Sequence, residues 1–171
     1  AFELKAVKDL VLEDDETVVL NGAITDPVFG ASVIQDTVIT IKDRTHDDPA
    51  TGLIHLTAVT AGTHVLEGDD YTLKVSLAPG VTSGKDIHVA LNIGSGSTAT
   101  TDDIDNLPAA VTIPAGAPDA DFTFTAKTDL VLEKPEQLWI EASPQNYAGM
   151  KGDKRQVTID DATRLKADNL K

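Results

Sequence analysis

The 171-residue chain carries 14 basic and 28 acidic side chains, a formal net charge of −14, with no cysteine and 4% aromatic residues. That charge counts against phosphate backbones and anionic membrane surfaces, which need clustered Lys and Arg, and the lack of cysteine removes disulfides, thiolate nucleophiles and Cys-based zinc sites. No apolar run approaches the ~20 residues of a spanning helix and no leader-type segment is present, so neither a nucleic-acid partner nor membrane insertion is expected of this segment.

In chain order, alternation of apolar and polar residues dominates, the pattern of half-buried strands. Val18, Leu20 and Gly22 form one such run, and a second runs from Ile39 to Lys42. Residues 44–52 are polar, contain Pro49 and Gly52, and read as a linker. Four more runs follow: Tyr71, Leu73, Val75, Leu77; Ile87, Val89, Leu91, Ile93; Phe122, Phe124, Ala126; and Leu138, Ile140, Ala142. Pro79-Gly80, Gly94-Ser95-Gly96 and Pro114-Ala115-Gly116 supply turn chemistry between them. No sustained helical stripe is present, and short strands at this spacing indicate an antiparallel sandwich.

The chain also repeats itself. Asp-Leu-Val-Leu-Glu occurs at 9–13 and at 129–133, an offset of 120, and residues 2–16 match 122–136 at 8 of 15 positions. Ile39-Thr40-Ile41-Lys42-Asp43 matches Val157-Thr158-Ile159-Asp160-Asp161 at an offset of 118. The expected organisation is therefore all-β, tandem immunoglobulin-like sandwiches, one complete and one partial. Residues 1–43 are the C-terminal half of one repeat, 44–52 the linker, 53–161 a complete repeat and 162–171 the start of the next. Each unit needs its full set of apolar faces to close a core, so the missing strands are expected from neighbouring repeats of the same protein or from adjacent identical chains.

The order of elements in the second unit resembles a Calx-β repeat. Leu66-Glu67-Gly68-Asp69, Ser97-Thr98-Ala99, Asp103-Ile104, Pro114-Ala115-Gly116, Glu133 and Glu136 at the opening of the Leu138/Ile140/Ala142 strand, and Asp160-Asp161 follow the family's sequence of motifs across residues 60–162. The resemblance implies an immunoglobulin-like sandwich used in tandem as a spacer or adhesive module, with Ca2+ bound at one pole in some members. The positions matching the family's ligand set are Glu67, Asp103, Asp129, Glu133, Asp160 and Asp161, and hard carboxylate oxygens from converging loops suit Ca2+. Thr128, Leu130 and Ala162 stand where stronger binders carry Asp, and Lys42 replaces the first closing acid in the partial unit.

Catalytic residues are not expected: there is no cysteine nucleophile, no nucleophile elbow, and the four histidines, His46, His55, His64 and His88, lie outside any metal-binding spacing. By alternation Trp139 faces away from the core. Trp139 and its repeat counterpart Val19 are candidates for a lateral interface. Asp36-Thr37-Val38 resembles a short bacterial O-glycan acceptor, which makes Thr37 the candidate glycosylation site. The expected function is a structural repeat of an extracellular bacterial surface filament, stalk or adhesin shaft. The alternative is a ligand- or glycan-binding module of an adhesin or secreted enzyme.

Overall fold

The computed structural model describes residues 3–26, 28 and 30–163. Most of the expected start of a further repeat at 162–171 lies outside the described residues. Thirteen strands run along the chain: β1 (Val11–Leu12), β2 (Glu16–Asp26), β3 (Gly30–Ile41), β4 (His55–Ala58), β5 (His64–Leu66), β6 (Asp70–Ser76), β7 (Thr82–Ser83), β8 (Ile87–Ile93), β9 (Ile104–Asp105), β10 (Ala110–Ile113), β11 (Asp119–Ala126), β12 (Glu136–Pro144) and β13 (Asp153–Asp160).

From β4 onward the chain forms an immunoglobulin-like antiparallel β-sandwich. One sheet runs β10-β8-β12-β13-β5 and the other β4-β6-β11-β9. Every neighbour is antiparallel apart from β13–β5. The period-two runs face inward as the sequence indicates. Tyr71, Leu73 and Val75 of β6, Ile87 and Val89 of β8, Phe124 of β11, and Leu138 and Ile140 of β12 are all fully enclosed between the sheets. Apolar burial of this kind is the main force holding two sheets together. Gly80 and Gly96 turn the chain at φ of +81° and +92°, a conformation costly for residues with a Cβ.

Ahead of the sandwich, β2 and β3 form a hairpin of their own. Its register repeats that of β12 and β13. Glu16 faces Ile41 as Glu136 faces Ile159, and the equivalence holds through Val18–Ile39, Val19–Val38 and Leu20–Thr37 against Leu138–Val157, Trp139–Gln156 and Ile140–Arg155. Beyond Leu20 the first hairpin carries a bulge that the second lacks. The difference between them is what lies on their faces. Leu138, Ile140 and Val157 are buried against the opposite sheet, whereas their counterparts Val18 and Leu20 are only half-buried and Ile39 is exposed.

Two stretches of chain tie the leading segment to the sandwich. β1 pairs in parallel with β7, Val11 facing Thr82 and Leu12 facing Ser83, and Leu12 is completely buried among the sandwich core residues. Residues 44–52, expected as a linker, form a series of turns closed by hydrogen bonds from Asp47 and Asp48 N–H to the Arg44 carbonyl and from Gly52 N–H to the Asp48 carbonyl. Thr45 is buried there. Gly52 is obligatory, because a Cβ at that position would lie 1.9 Å from the His46 carbonyl oxygen.

Candidate metal centre

Four loop or strand-end segments meet at one pole of the sandwich: the turn after β5, the loop before β9, the loop between β11 and β12, and the end of β13. Backbone bonds tie them together. Glu67 N–H donates to the Asp160 carbonyl at 3.0 Å, Gly68 N–H to Ala126 at 2.7 Å and Lys127 N–H to Asp103 at 2.9 Å. Carboxylates then fix the loop between β11 and β12. Asp129 accepts the Val131 N–H at 2.7 Å, and Asp161 accepts the N–H groups of Glu133 at 3.0 Å and Thr163 at 2.7 Å. Thr163 Oγ1 adds a bond to the Asp129 carbonyl at 3.3 Å.

This scaffold brings Asp103, Glu133 and Glu136 together, all half-buried, each with a carboxylate oxygen within 4.8 Å of the other two. Asp103 is oriented from behind by Thr100, whose N–H and Oγ1 both donate to its Oδ2, at 2.7 and 2.9 Å. Glu67 lies beside the group, accepting the Ala162 N–H at 3.4 Å. No ion pair among the described residues reaches Glu67, Asp103, Glu133 or Glu136. Burial and neighbouring charge act on two of these groups. Burial, then the negative charges of Asp103, Glu133, Glu67 and Asp129, hold the Glu136 carboxyl above the usual glutamate value. Burial also raises Glu67, with Asp161, Asp129 and Glu133 adding to the shift against the Ala162 bond.

Of the six positions implied by the family resemblance, Asp103 and Glu133 fall within the compact cluster and Glu67 at its edge. Asp129 is exposed and Asp161 is buried, each holding backbone amides. Asp160 turns to the opposite side of β13 and meets His64 Nδ1 at 2.9 Å, since successive side chains on a strand point to opposite faces. Glu136, absent from that set, completes the cluster. The signal for it was in the repeat, where the 15-residue match ends on Glu16 and Glu136.

The leading segment reproduces part of this pole. Asp9 accepts the Val11 N–H at 3.0 Å, and Asp43 accepts Glu13 N–H at 3.1 Å and Thr45 N–H at 2.8 Å, matching the bonds of Asp129 and Asp161 one for one. Burial, then Glu16, Asp9 and Asp43, raise the Glu13 carboxyl. At Asp43 burial opposes the charge, but donors from Thr45, Glu13 and His46 prevail and lower its pKa. Lys42 stands where the second unit has Asp160, and its ammonium pairs with Asp15.

Trp139 is half-buried on the outer face of β12. The Lys154 ammonium lies 5.1 Å from its ring centroid and the Gly96 turn beside its edge. Its counterpart Val19 is exposed, as is Thr37 on β3.

No protein-family model matches this sequence, and no curated protein matches it. Among solved structures it is similar to the apo-form Calx CBD1 domain (18% identity, TM-score 0.44, 63% of this chain and 96% of that one). It is also similar to the D00-D0 domain of intimin (14%, TM-score 0.45, 85% and 65%) and to the Pseudomonas aeruginosa CupB2 chaperone (15%, TM-score 0.45, 66% and 58%). At these values the likeness reaches no further than the sandwich fold described above.

Proposed function

We propose that this chain is a segment of a tandem β-sandwich array in an extracellular bacterial surface protein, serving as a stalk, filament or adhesin shaft. The organisation is a partial unit at 1–43, an ordered junction at 44–52, and a complete unit at 53–161. The observation that carries this reading is the double equivalence of the two halves. The β2–β3 and β12–β13 hairpins share one register, and the aspartates flanking each Asp-Leu-Val-Leu-Glu segment hold the same backbone amides. A strongly acidic surface favours such a role, because like charges keep an array soluble and extended.

Calcium fits the pole of the complete unit. The donors are oxygens only, three of them close together and a fourth adjacent, with the Glu136 and Glu67 carboxyls held above the usual value by burial and then by neighbouring negative charge. Asp103, Glu133 and Glu136 would hold the ion, with Glu67 alongside. The ion would neutralise the cluster and clamp the loop between β11 and β12 to the loop before β9. Its role is mechanical: it stiffens the end of the unit that faces the next one.

Protease shaving of intact cells, with detection by an antibody raised against this chain, tests the reading. Release of immunoreactive material from the surface, out of a native polypeptide far larger than 18.1 kDa, is the expected result. A native polypeptide of that mass confined to the cell interior would overturn it.

A further inference from the structure

The segment Asp-Leu-Val-Leu-Glu occurs twice and meets two different surroundings. At 9–13 it docks on the sandwich. Thr82 N–H donates to the Leu10 carbonyl at 3.1 Å and Gly84 N–H to the Leu12 carbonyl at 3.0 Å, and the Tyr147 hydroxyl also donates to the Leu12 carbonyl at 3.0 Å. The Leu12 side chain is 0% exposed. At 129–133 no backbone N–H among the described residues donates to the Leu130 or Leu132 carbonyl. Leu130, Val131 and Leu132 are 93%, 54% and 67% exposed.

The two segments are otherwise held alike. Each bends at its first leucine, and each is capped by an Asp at its start and by the closing Asp at its Glu. The second segment is therefore presented with the same anchorage as the first, its acids turned to its own pole and its apolar residues left in solvent.

We propose that residues 129–133 are a docking strand for a further sandwich of the kind formed by residues 53–161. Val131 and Leu132 pair in parallel with that sandwich's counterparts of Thr82 and Ser83, and Leu132 enters its core as Leu12 enters this one. Addition of a strand to an open sheet edge supplies backbone bonds, and the inserted side chain supplies register. The first segment identifies the occupant, since it shows the same five-residue sequence hydrogen-bonded to that edge with its second leucine enclosed in the core. This inference rests on the tandem reading and specifies how consecutive units join. In a second copy of this chain the acceptor edge is already filled by β1, so the natural acceptor is a following repeat whose edge is open to the strand before it. Lys134 replaces Asp14, the partner of Lys85. The surface ion pair is therefore not repeated, and the backbone ladder and the leucine carry the contact. Because Glu133 belongs to the acidic cluster and Leu132 to the dock, metal at the pole and contact with the next unit are coupled through one peptide bond.

The test uses full-length chains, in which every cysteine is an engineered one. The acceptor carries Thr82→Cys and Leu12→Asp, which vacates its own socket; the donor carries Val131→Cys. A chain with Val11→Cys and Thr82→Cys together calibrates closure of the pair at this register. On mild oxidation the acceptor and donor are expected to form the mixed disulfide. Its yield should fall by roughly tenfold or more, the scale of one lost packing contact in an association constant, when the acceptor keeps Leu12 or when the donor also carries Leu132→Asp. A yield indifferent to both changes would overturn the proposal. If Leu12→Asp leaves the acceptor unfolded, the donor is expected to restore amide protection at the acceptor's Thr82 and Gly84, and the Leu132→Asp donor is not; absence of restoration also overturns it. A failed dock would leave the shared hairpin register, and hence the tandem reading, standing. The cell-shaving result decides that reading separately.

Discussion

Residues 9–13 and 129–133 are the same five amino acids with the same capping aspartates, yet Leu12 lies in a core and Leu132 lies in water. The difference comes from what stands beside each segment. The first is followed by a complete sandwich whose β7 edge and Tyr147 hydroxyl receive it, and the second has no such neighbour among the described residues. Three aliphatic residues between two acids thus sit in two environments, and under the docking proposal only the presence of a further unit decides whether Leu132 is enclosed as Leu12 is.

The sharpest way to break this comparison is to truncate each leucine in turn. Leu12→Ala is expected to destabilise the sandwich by about 2–5 kcal/mol, the range for a buried leucine left as a cavity. Leu132→Ala should stay within about 0.5 kcal/mol, as surface substitutions do. Urea denaturation followed by Trp139 fluorescence measures both, and equal effects would sink the assignment of different environments. Calcium comes next. At a concentration of 100 times its dissociation constant it should add about 2.7 kcal/mol to unfolding, raise the melting midpoint, and do neither in a Glu133→Gln/Glu136→Gln variant. An unchanged midpoint on adding EGTA to the calcium-loaded chain would remove the ion from the account.

Tyr147→Phe sharpens the comparison from the acceptor side. The hydroxyl bonds the Leu12 carbonyl at 3.0 Å and Ser83 Oγ at 2.7 Å, both in buried surroundings. Its loss should cost about 1–2 kcal/mol in the chain with Leu12 and much less in the Leu12→Ala background. The smallest effect concerns pH. Glu67 and Glu136 have raised values in the folded state. Between the unfolded and folded values the native state therefore binds more protons, and stability falls as pH rises through that window. In EGTA, lowering the pH from 7 toward 5 should raise the melting midpoint slightly, and saturating calcium should abolish the rise. Asp43 is lowered, so its contribution is present above the unfolded value and is lost only at more acid pH.

Much of the fold was legible because burial follows alternation. Tyr71, Leu73 and Val75, or Leu138 and Ile140, announce an inward face in the sequence and occupy it in the structure. The repeat was legible too, since matching residues at offsets of 120 and 118 ended in equivalent strand registers. Less could be read of residues 44–52. Their polarity and Pro49 describe a connection, but the buried Thr45 and the backbone crowding at Gly52 arise from long-range packing that composition does not encode. The candidate site was legible in residue type more than in geometry. A run of acids gives no indication of which carboxylates serve as backbone caps, as Asp129 and Asp161 do, and which gather into a cluster, as Glu133 and Glu136 do with Asp103. Asp160, the last residue of β13, and Asp161, the residue after it, are adjacent in sequence yet meet different partners, His64 and the Glu133 amide.

The most direct test exploits the lack of native cysteine. Leu12→Cys and Leu132→Cys, made separately in the full chain, are exposed to a thiol-reactive dye under native conditions. The account predicts that the thiol at position 132 is modified at the rate of a free cysteine, while the thiol at position 12 is protected until the sandwich opens. Equal rates at the two positions would contradict it.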